Sequence, residues 1–329
     1  MAKIAIIGAS TGGLPAAYEM KAALGPGHDV TVISNTDTFH FIPSNPWVAV
    51  GWRKRGNISF PLSPSLEKKG IKFIPEAASV IDPVKKEVTT VHGTIVPYDY
   101  LIIATGPKLA FDDIEGLGPE GNTVSICTVD HAEAAFEQYK RFIQAPGPVI
   151  VGAAQGASCF GPAYEFAFIL DADLRRKKLR KKVPITFVTP EPYIGHMGLS
   201  GIGDSKNLLE HEFRERHISW LVNTRIKRVE KGRMIVEVLN EGEKELPFQY
   251  SMIIPSFKGV DAVARVEGLC NPKGFVIVDE FQRSPKYQNI YAVGVCIAIA
   301  PPEATPVPVG VPKTGYMIES MVSAAVHNI

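Results

Sequence analysis

Short, wholly apolar runs alternate with glycine-rich turns and helical stretches along the chain. Lys3–Ile7 is the first such run, and the turn Gly8 to Gly13 follows at once. Continuous apolar runs of this length suit parallel strands buried on both faces. Leu14 to Leu24 then sets Leu14, Ala17, Met20 and Leu24 near one helical face. Asp29–Ile33, Tyr98 to Gly106 and Asn289 to Gly294 repeat the apolar run. The sequence of elements starts again at Gly147 to Val151, with a turn at Gly152 to Ala157 and a helix predicted from about Ser158 to Leu174. A strand at Ile185 to Thr189 follows. This alternation predicts an α/β fold with two parallel sheets.

Strand, glycine-rich turn and helix form the context of a dinucleotide-binding turn, in which free amides and a helix N-terminus face a pyrophosphate. The first turn offers Gly8, Ser10, Thr11, Gly12 and Gly13. Ser10 stands where a glycine usually lets backbone approach phosphate, and Gly12 beside it compensates. After the second strand, where an acidic residue commonly holds a ribose, the chain has Ser34 and Asn35. The second turn is further degraded, with Ala154 and Ala157 at glycine positions. Each adds a methyl group where close approach is needed. Glu191, after the next strand, leaves a nicotinamide nucleotide open there. The predicted fold is two Rossmann-like dinucleotide-binding domains, the second inserted into the first. The first segment covers 1–113, the inserted domain 114–246 and the return segment 247–329, with glycine- and proline-rich seams at both joins.

The length of 329 residues suits two domains, and a formal net charge of +1 gives no case for nucleic-acid binding. One run, Arg175 to Lys182, is strongly basic. It reads as a solvated helix end, or as a patch for anionic lipid. The N-terminus enters a strand directly, without the apolar stretch of a signal peptide. No apolar run reaches the ~18 residues of a spanning helix. Four cysteines are too few for a disulfide scaffold, and no Cys/His spacing suggests a metal site.

Two of the cysteines suggest chemistry. Cys127 lies in Ser125 to His131, and Cys159 is predicted one turn into the second-domain helix. A helix N-terminus favours a thiolate, the form needed for sulfur transfer. The competing reading for a cysteine is a small buried apolar side chain.

Several segments together resemble the sulfide:quinone oxidoreductases, within the flavoproteins that carry two dinucleotide-binding domains. They are Phe41 to Trp47, Ser125 to His131, Ala157 to Glu165, Glu191 to His196 and Pro312 to Glu319. The resemblance implies FAD as cofactor, sulfide and membrane quinone as substrates, and sulfur held as persulfide or polysulfide on cysteine. It places Cys159 beside the flavin as the persulfide carrier and Cys127 as an accessory that releases polysulfur or bonds the flavin. It assigns proton handling or sulfide access to His131, His196 and Glu165. Each of these three also has an ordinary reading: a helix cap for His131, a solvated loop for His196, a solvent-facing side chain for Glu165. FAD would be held by the first turn, Ser34 and Asn35, then Pro43, Ala78, Thr105, Gly106 and Gly294, with Lys313, Thr314 and Gly315 at its pyrimidine edge. Gly294 is followed by Val295, not the family's aspartate. Cys270 and Cys296 do not match the family's further redox cysteine, and Cys296, after the flavin-contacting strand, reads as packing. That cysteine and the membrane-contacting helices are expected beyond Ile329. The resemblance implies a peripheral inner-membrane protein, allows a homo-oligomer, and makes the chain as given soluble. The rival expectations are a type II NADH:quinone oxidoreductase, the flavin subunit of a flavocytochrome c sulfide dehydrogenase, and a flavin-binding chain without turnover.

Overall fold

The computed structural model describes all residues from Met1 to Ile329. Its first sheet has five parallel strands in the order Ile290–Ala292, Tyr100–Ile103, Lys3–Ile7, Asp29–Ile33 and Lys72–Ile74. Ile6, Val32, Leu101 and Ile102 are completely buried, as central strands covered on both faces must be. The helix Gly13–Leu24 turns Ala16, Ala17 and Met20 onto this sheet, and the last helix, Gly315–Asn328, packs beside it. The predicted strand, turn and helix form as expected, within one residue at the helix start.

The second sheet has four parallel strands, ordered Ile218–Leu221, Ile185–Val188, Val149–Ala153 and Tyr250–Ile254. Its last strand lies beyond the expected boundary at 247, so the inserted unit extends further than the seam suggested. The reason is register: Val149 to Ala153 need a partner on their open edge, and Tyr250 to Ile254 supply it residue for residue. The chain crosses between units where Lys108–Leu109 pairs antiparallel with Phe257–Lys258. Both crossings therefore run side by side, pinned by Lys258 on Asp113.

Two further adjustments matter for the site. The second-domain helix spans Gly161–Arg176, so Cys159 precedes it and is not one turn inside it. Pro162 at the start of the helix explains the shift, because proline suits the first turn, where its missing N–H costs nothing. The short helix Asn45–Ala49 packs against Val129–Phe142 and Gly161–Arg176, drawing a first-segment loop into the second core.

The basic run is largely engaged with protein. Arg175 and Arg180 pair with the buried Asp171, and Lys177 pairs with the buried Asp173. The Arg176 guanidinium lies 4.2 Å from the Trp52 ring centroid. These pairs hold the helix end to its neighbours and leave Lys178, Lys181 and Lys182 as the cations outside them.

Candidate active site

The first turn has the geometry of a pyrophosphate cradle. Gly8 adopts φ +103°, and a Cβ there would meet the Ala104 carbonyl oxygen at 2.2 Å. A Cβ on Gly13 would lie 1.9 Å from the Gly8 oxygen. Both positions demand glycine. The amides of Ser10, Thr11, Gly12 and Gly13 donate to no protein acceptor, so they are available to an anion. Ser34 is buried at the end of its strand, its amide bound to the Ile74 oxygen, and Asn35 beside it is exposed. Ala78 begins a strand four residues beyond Ile74. Thr105 and Gly106 follow the strand Tyr100–Ile103, and Gly294 follows Ile290–Ala292 next to it. Pro43 is exposed, one residue before the buried Ser44. Thr314 and Gly315 open the last helix, exposed and with free amides. These residues fit FAD: a cradle of free donors, neutral groups at the ribose position and a helix N-terminus at the far end.

Lys313 joins this cradle to the thiols. Its ammonium lies 5.2 Å from the Phe275 ring centroid. Burial lowers its pKa, while the neighbouring Cys296 and Cys159 pull it back up. Cys296 is buried, with its thiol on the carbonyls of Ile103 and Val293. Its placement fits the packing expectation.

Burial pushes the Cys159 thiol up to about 11, and Lys313 acts in the opposite direction. The expectation that a helix start lowers this pKa therefore fails for the protein without its cofactor. Desolvation outweighs the helix start two residues on and one lysine. Burial likewise pushes Cys127 up to about 12, with Cys159 near enough to add to the shift. Both thiols flank the second core together with Trp47 and Met197.

Ser125, which motif reasoning passed over, links Cys127 to His131. Its hydroxyl accepts the Cys127 amide at 3.1 Å and lies 3.2 Å from His131 Nδ1. Ser125 also acts against burial at Cys127, lowering the pKa that burial raises. Ser125 is completely buried, and the segment is fixed by Asn45, whose Nδ2 donates to the Ile126 oxygen at 2.9 Å. A hydroxyl with one hydrogen and two lone pairs can pass a proton between thiol and imidazole. Burial lowers the His131 pKa, with Asp130 and Glu120 pulling it up, so the ring is poised to accept one. Thr128, not His131, caps the helix: its hydroxyl accepts the His131 amide at 3.1 Å.

His196 is not solvated. It is 1% exposed, with Nε2 2.9 Å from the Glu303 carboxylate. The Gly198 amide donates to its Nδ1 at 3.2 Å. Glu165 is exposed and accepts Trp47 Nε1–H at 3.1 Å, tying the short helix Asn45–Ala49 to the helix that follows Cys159.

The second nucleotide turn is closed by the chain itself. The Gly156 amide donates to the Pro308 oxygen at 2.6 Å, and the Gly310 amide to the Ala157 oxygen at 2.7 Å. Gln155 brackets the Ile226 backbone with both ends of its amide. Glu191 does not face a ribose: it is completely buried and bonded to Tyr164, Thr189 and Met197. The carboxylate turns inward because three donors satisfy it there and offset the cost of burial.

A family profile described as pyridine nucleotide-disulphide oxidoreductase matches residues 2–317. The chain is 47% identical over 332 residues to the sulfide-quinone reductase of Aquifex aeolicus, spanning all of this chain and 76% of that one. The crystal structure of the Aquifex aeolicus sulfide:quinone oxidoreductase superposes with a TM-score of 0.96 at 46% identity, over 100% of this chain and 76% of that one. The mitochondrial sulfide:quinone oxidoreductase of Mus musculus is 25% identical over 89% of this chain and 65% of its own. An external NADH-ubiquinone oxidoreductase of Saccharomyces cerevisiae is more distant, 23% identical over 90% of this chain and 58% of its own. The chain belongs to the sulfide:quinone oxidoreductase family of the pyridine nucleotide-disulphide oxidoreductases.

Proposed function

We propose that this chain oxidises sulfide to sulfane sulfur and passes the electrons through FAD to quinone. The identity of 47% along the whole chain to a sulfide-quinone reductase carries this reading. FAD, when bound, supplies a two-electron acceptor that quinone can reoxidise. Each hydrosulfide that becomes sulfane sulfur gives up two electrons and one proton, and the chain's residues manage the sulfur and the proton.

In this reading Cys159 carries the growing persulfide, with Lys313 holding its negative charge. Cys127 takes up or releases polysulfur. Ser125 relays the proton from the Cys127 thiol to His131, whose ring delivers it outward. Glu165 holds Trp47 over the entrance, and His196 presents a fixed N–H on the Glu303 side. The amides of residues 10–13 and the start of the last helix hold the cofactor's phosphates and pyrimidine edge. The crossing at Lys108–Leu109 and Phe257–Lys258 divides a cofactor unit from an inserted unit that has given up its nucleotide. No helix is long and apolar enough to cross a membrane. Peripheral attachment to the inner membrane that holds the quinone, and self-association there, complete the proposal.

The test is anaerobic addition of sulfide, and separately of NADH, to the FAD-loaded protein, followed by quinone. Sulfide is expected to bleach the flavin and quinone to restore it. Bleaching by NADH alone would overturn the reading. Cys159→Ala is expected to keep FAD and lose bleaching by sulfide.

A further inference from the structure

The carboxylate of Glu191 is buried without a cation against it, an arrangement that costs stability unless hydrogen bonds compensate. Three donors do so. Oε2 accepts from Thr189 Oγ1 at 2.7 Å and from Tyr164 Oη at 2.8 Å, and Oε1 accepts the Met197 amide at 2.7 Å. Tyr164 Oη in turn accepts the Gly195 amide at 3.0 Å. The amides on either side of His196 are therefore both anchored to this pair.

The anchoring shapes the turn. Gly195, Met197 and Gly198 all have positive φ, +83°, +58° and +74°. Met197 pays a steric penalty that glycine would not, so something must hold it there. The Glu191 bond to its amide does. The same turn aims the Gly198 amide at His196 Nδ1. An amide can only donate, so Nδ1 keeps its lone pair and the ring proton sits on Nε2, facing Glu303. Tyr193 meets the ring edge-on at 5.2 Å between centroids. The loop also abuts the thiol side of the site. A Cβ on Gly198 would meet the Gly310 oxygen at 2.2 Å, and Gly310 bonds to Ala157, two residues before Cys159.

We infer that Glu191 and Tyr164 are positioning residues that fix the orientation and tautomer of His196 for sulfide oxidation. The inference rests on the proposed role of His196. Glu191 thus does work in the sulfide site from the chain position where a nucleotide-binding fold keeps its ribose acid. Tyr164, in the first turn of the helix after Cys159, ties the thiol segment to the histidine loop.

The experiment compares His196→Ala, Glu191→Ala, Glu191→Gln, Tyr164→Phe and the double variant Glu191→Ala/His196→Ala in FAD-loaded protein. Rates of anaerobic sulfide-dependent flavin reduction are measured across pH, with flavin content and Tm as checks of folding. Glu191→Ala is expected to slow reduction about 10–100-fold, the usual cost of losing an orienting partner. The double variant is expected to be no slower than His196→Ala, since residues acting as one unit do not add. Glu191→Gln should restore most of the rate, because its amide oxygen still accepts the Met197 N–H. Glu191→Ala should also displace the pH profile, because the freed ring can exchange tautomers. Multiplying losses in the double variant, or an unmoved pH profile, overturns the inference. If Glu191→Ala does not fold, a full rate in Tyr164→Phe, or no rate in a flavin-loaded Glu191→Gln, does the same. A slow His196→Ala beside a normal Glu191→Ala sinks the inference alone. A normal His196→Ala sinks the role of His196 and the inference with it.

Discussion

The Gly156 amide donates to the Pro308 carbonyl at 2.6 Å, so a peptide oxygen of the return segment occupies a donor of the second nucleotide turn. Nearby, Gly310 bonds to Ala157, and a Cβ on Gly310 would lie 2.7 Å from that of Ser158. The site is thus closed by backbone as well as by two alanine methyl groups. The double variant Ala154→Gly/Ala157→Gly, which restores both glycines, is expected to remain blind to NADH. Calorimetric titration with NADH and anaerobic flavin bleaching check this. NADH-driven bleaching in that variant would mean that the methyl groups alone exclude the nucleotide.

The cradle of the first turn tolerates no side chain at Gly13, where a Cβ would meet the Gly8 oxygen at 1.9 Å. Backbone on backbone contact cannot be relieved by a rotamer change. Gly13→Ala should cost about 1–3 kcal/mol or more through overpacking and should lose FAD. Flavin absorbance after gel filtration, with Tm for the stability change, gives the answer. The outcome against the cradle would be full flavin occupancy.

The Ser125 hydroxyl meets both the Cys127 amide and the His131 ring nitrogen. Ser125→Ala should leave flavin content intact and slow sulfide-dependent flavin reduction about 10²-fold, the lower range of general acid–base effects. Ser125→Thr keeps the hydroxyl and is expected to recover part of the rate. Stopped-flow absorbance separates the two, and equal rates in Ser125→Ala and the unaltered protein would remove the relay.

Both site thiols are held protonated by burial, Cys159 up to about 11 and Cys127 up to about 12. In the protein without FAD, alkylation near pH 7 should be about 300-fold slower at Cys159 and about 3,000-fold slower at Cys127 than for a free thiol. The rate should climb until about pH 11, and Lys313→Met should slow it further at Cys159, by removing the one cation that favours its thiolate. The stability consequence has a definite sign. A thiol whose folded pKa is raised contributes fully below the unfolded value of about 8.5, and the contribution disappears as pH rises toward the folded value. Tm should therefore fall between about pH 8.5 and 11, less steeply in Cys159→Ala. Mass-resolved alkylation and a pH series of melting curves test both statements, and a thiol at Cys159 reacting as fast as free cysteine would contradict them.

The first nucleotide turn was legible residue by residue. Lys3–Ile7, Gly8 to Gly13 and the helix after them are local: strand burial, tight turn and helical face all follow from neighbours within a few positions. The pairing of Cys127 with Cys159 was legible only through the motif resemblance, since no spacing rule joins positions so far apart. Their burial lay outside it too. Both thiols flank a core that Val48 and Ala49 of the short helix Asn45–Ala49 enter, with Trp47 and Met197 packed against it. That is why the thiol pKa values rise although a helix begins nearby.

The sequence by itself determined the α/β architecture, the flavin cradle and the loss of glycines in the second turn, because these are set by short-range sterics and periodicity. Only the tertiary structure decided three other matters. Glu191 turns inward because Tyr164, from the helix after Cys159, joins Thr189 and Met197 of its own loop in supplying donors. The second nucleotide site is closed by Pro308 and Gly310, more than 150 positions from that turn, because the return segment crosses over it. His196 is fixed as one tautomer because Gly198 and Glu303 reach its two ring nitrogens from different segments. Hydrogen bonds between remote segments carry no periodic trace in the chain, and they are what turned a nucleotide fold into a candidate sulfur site.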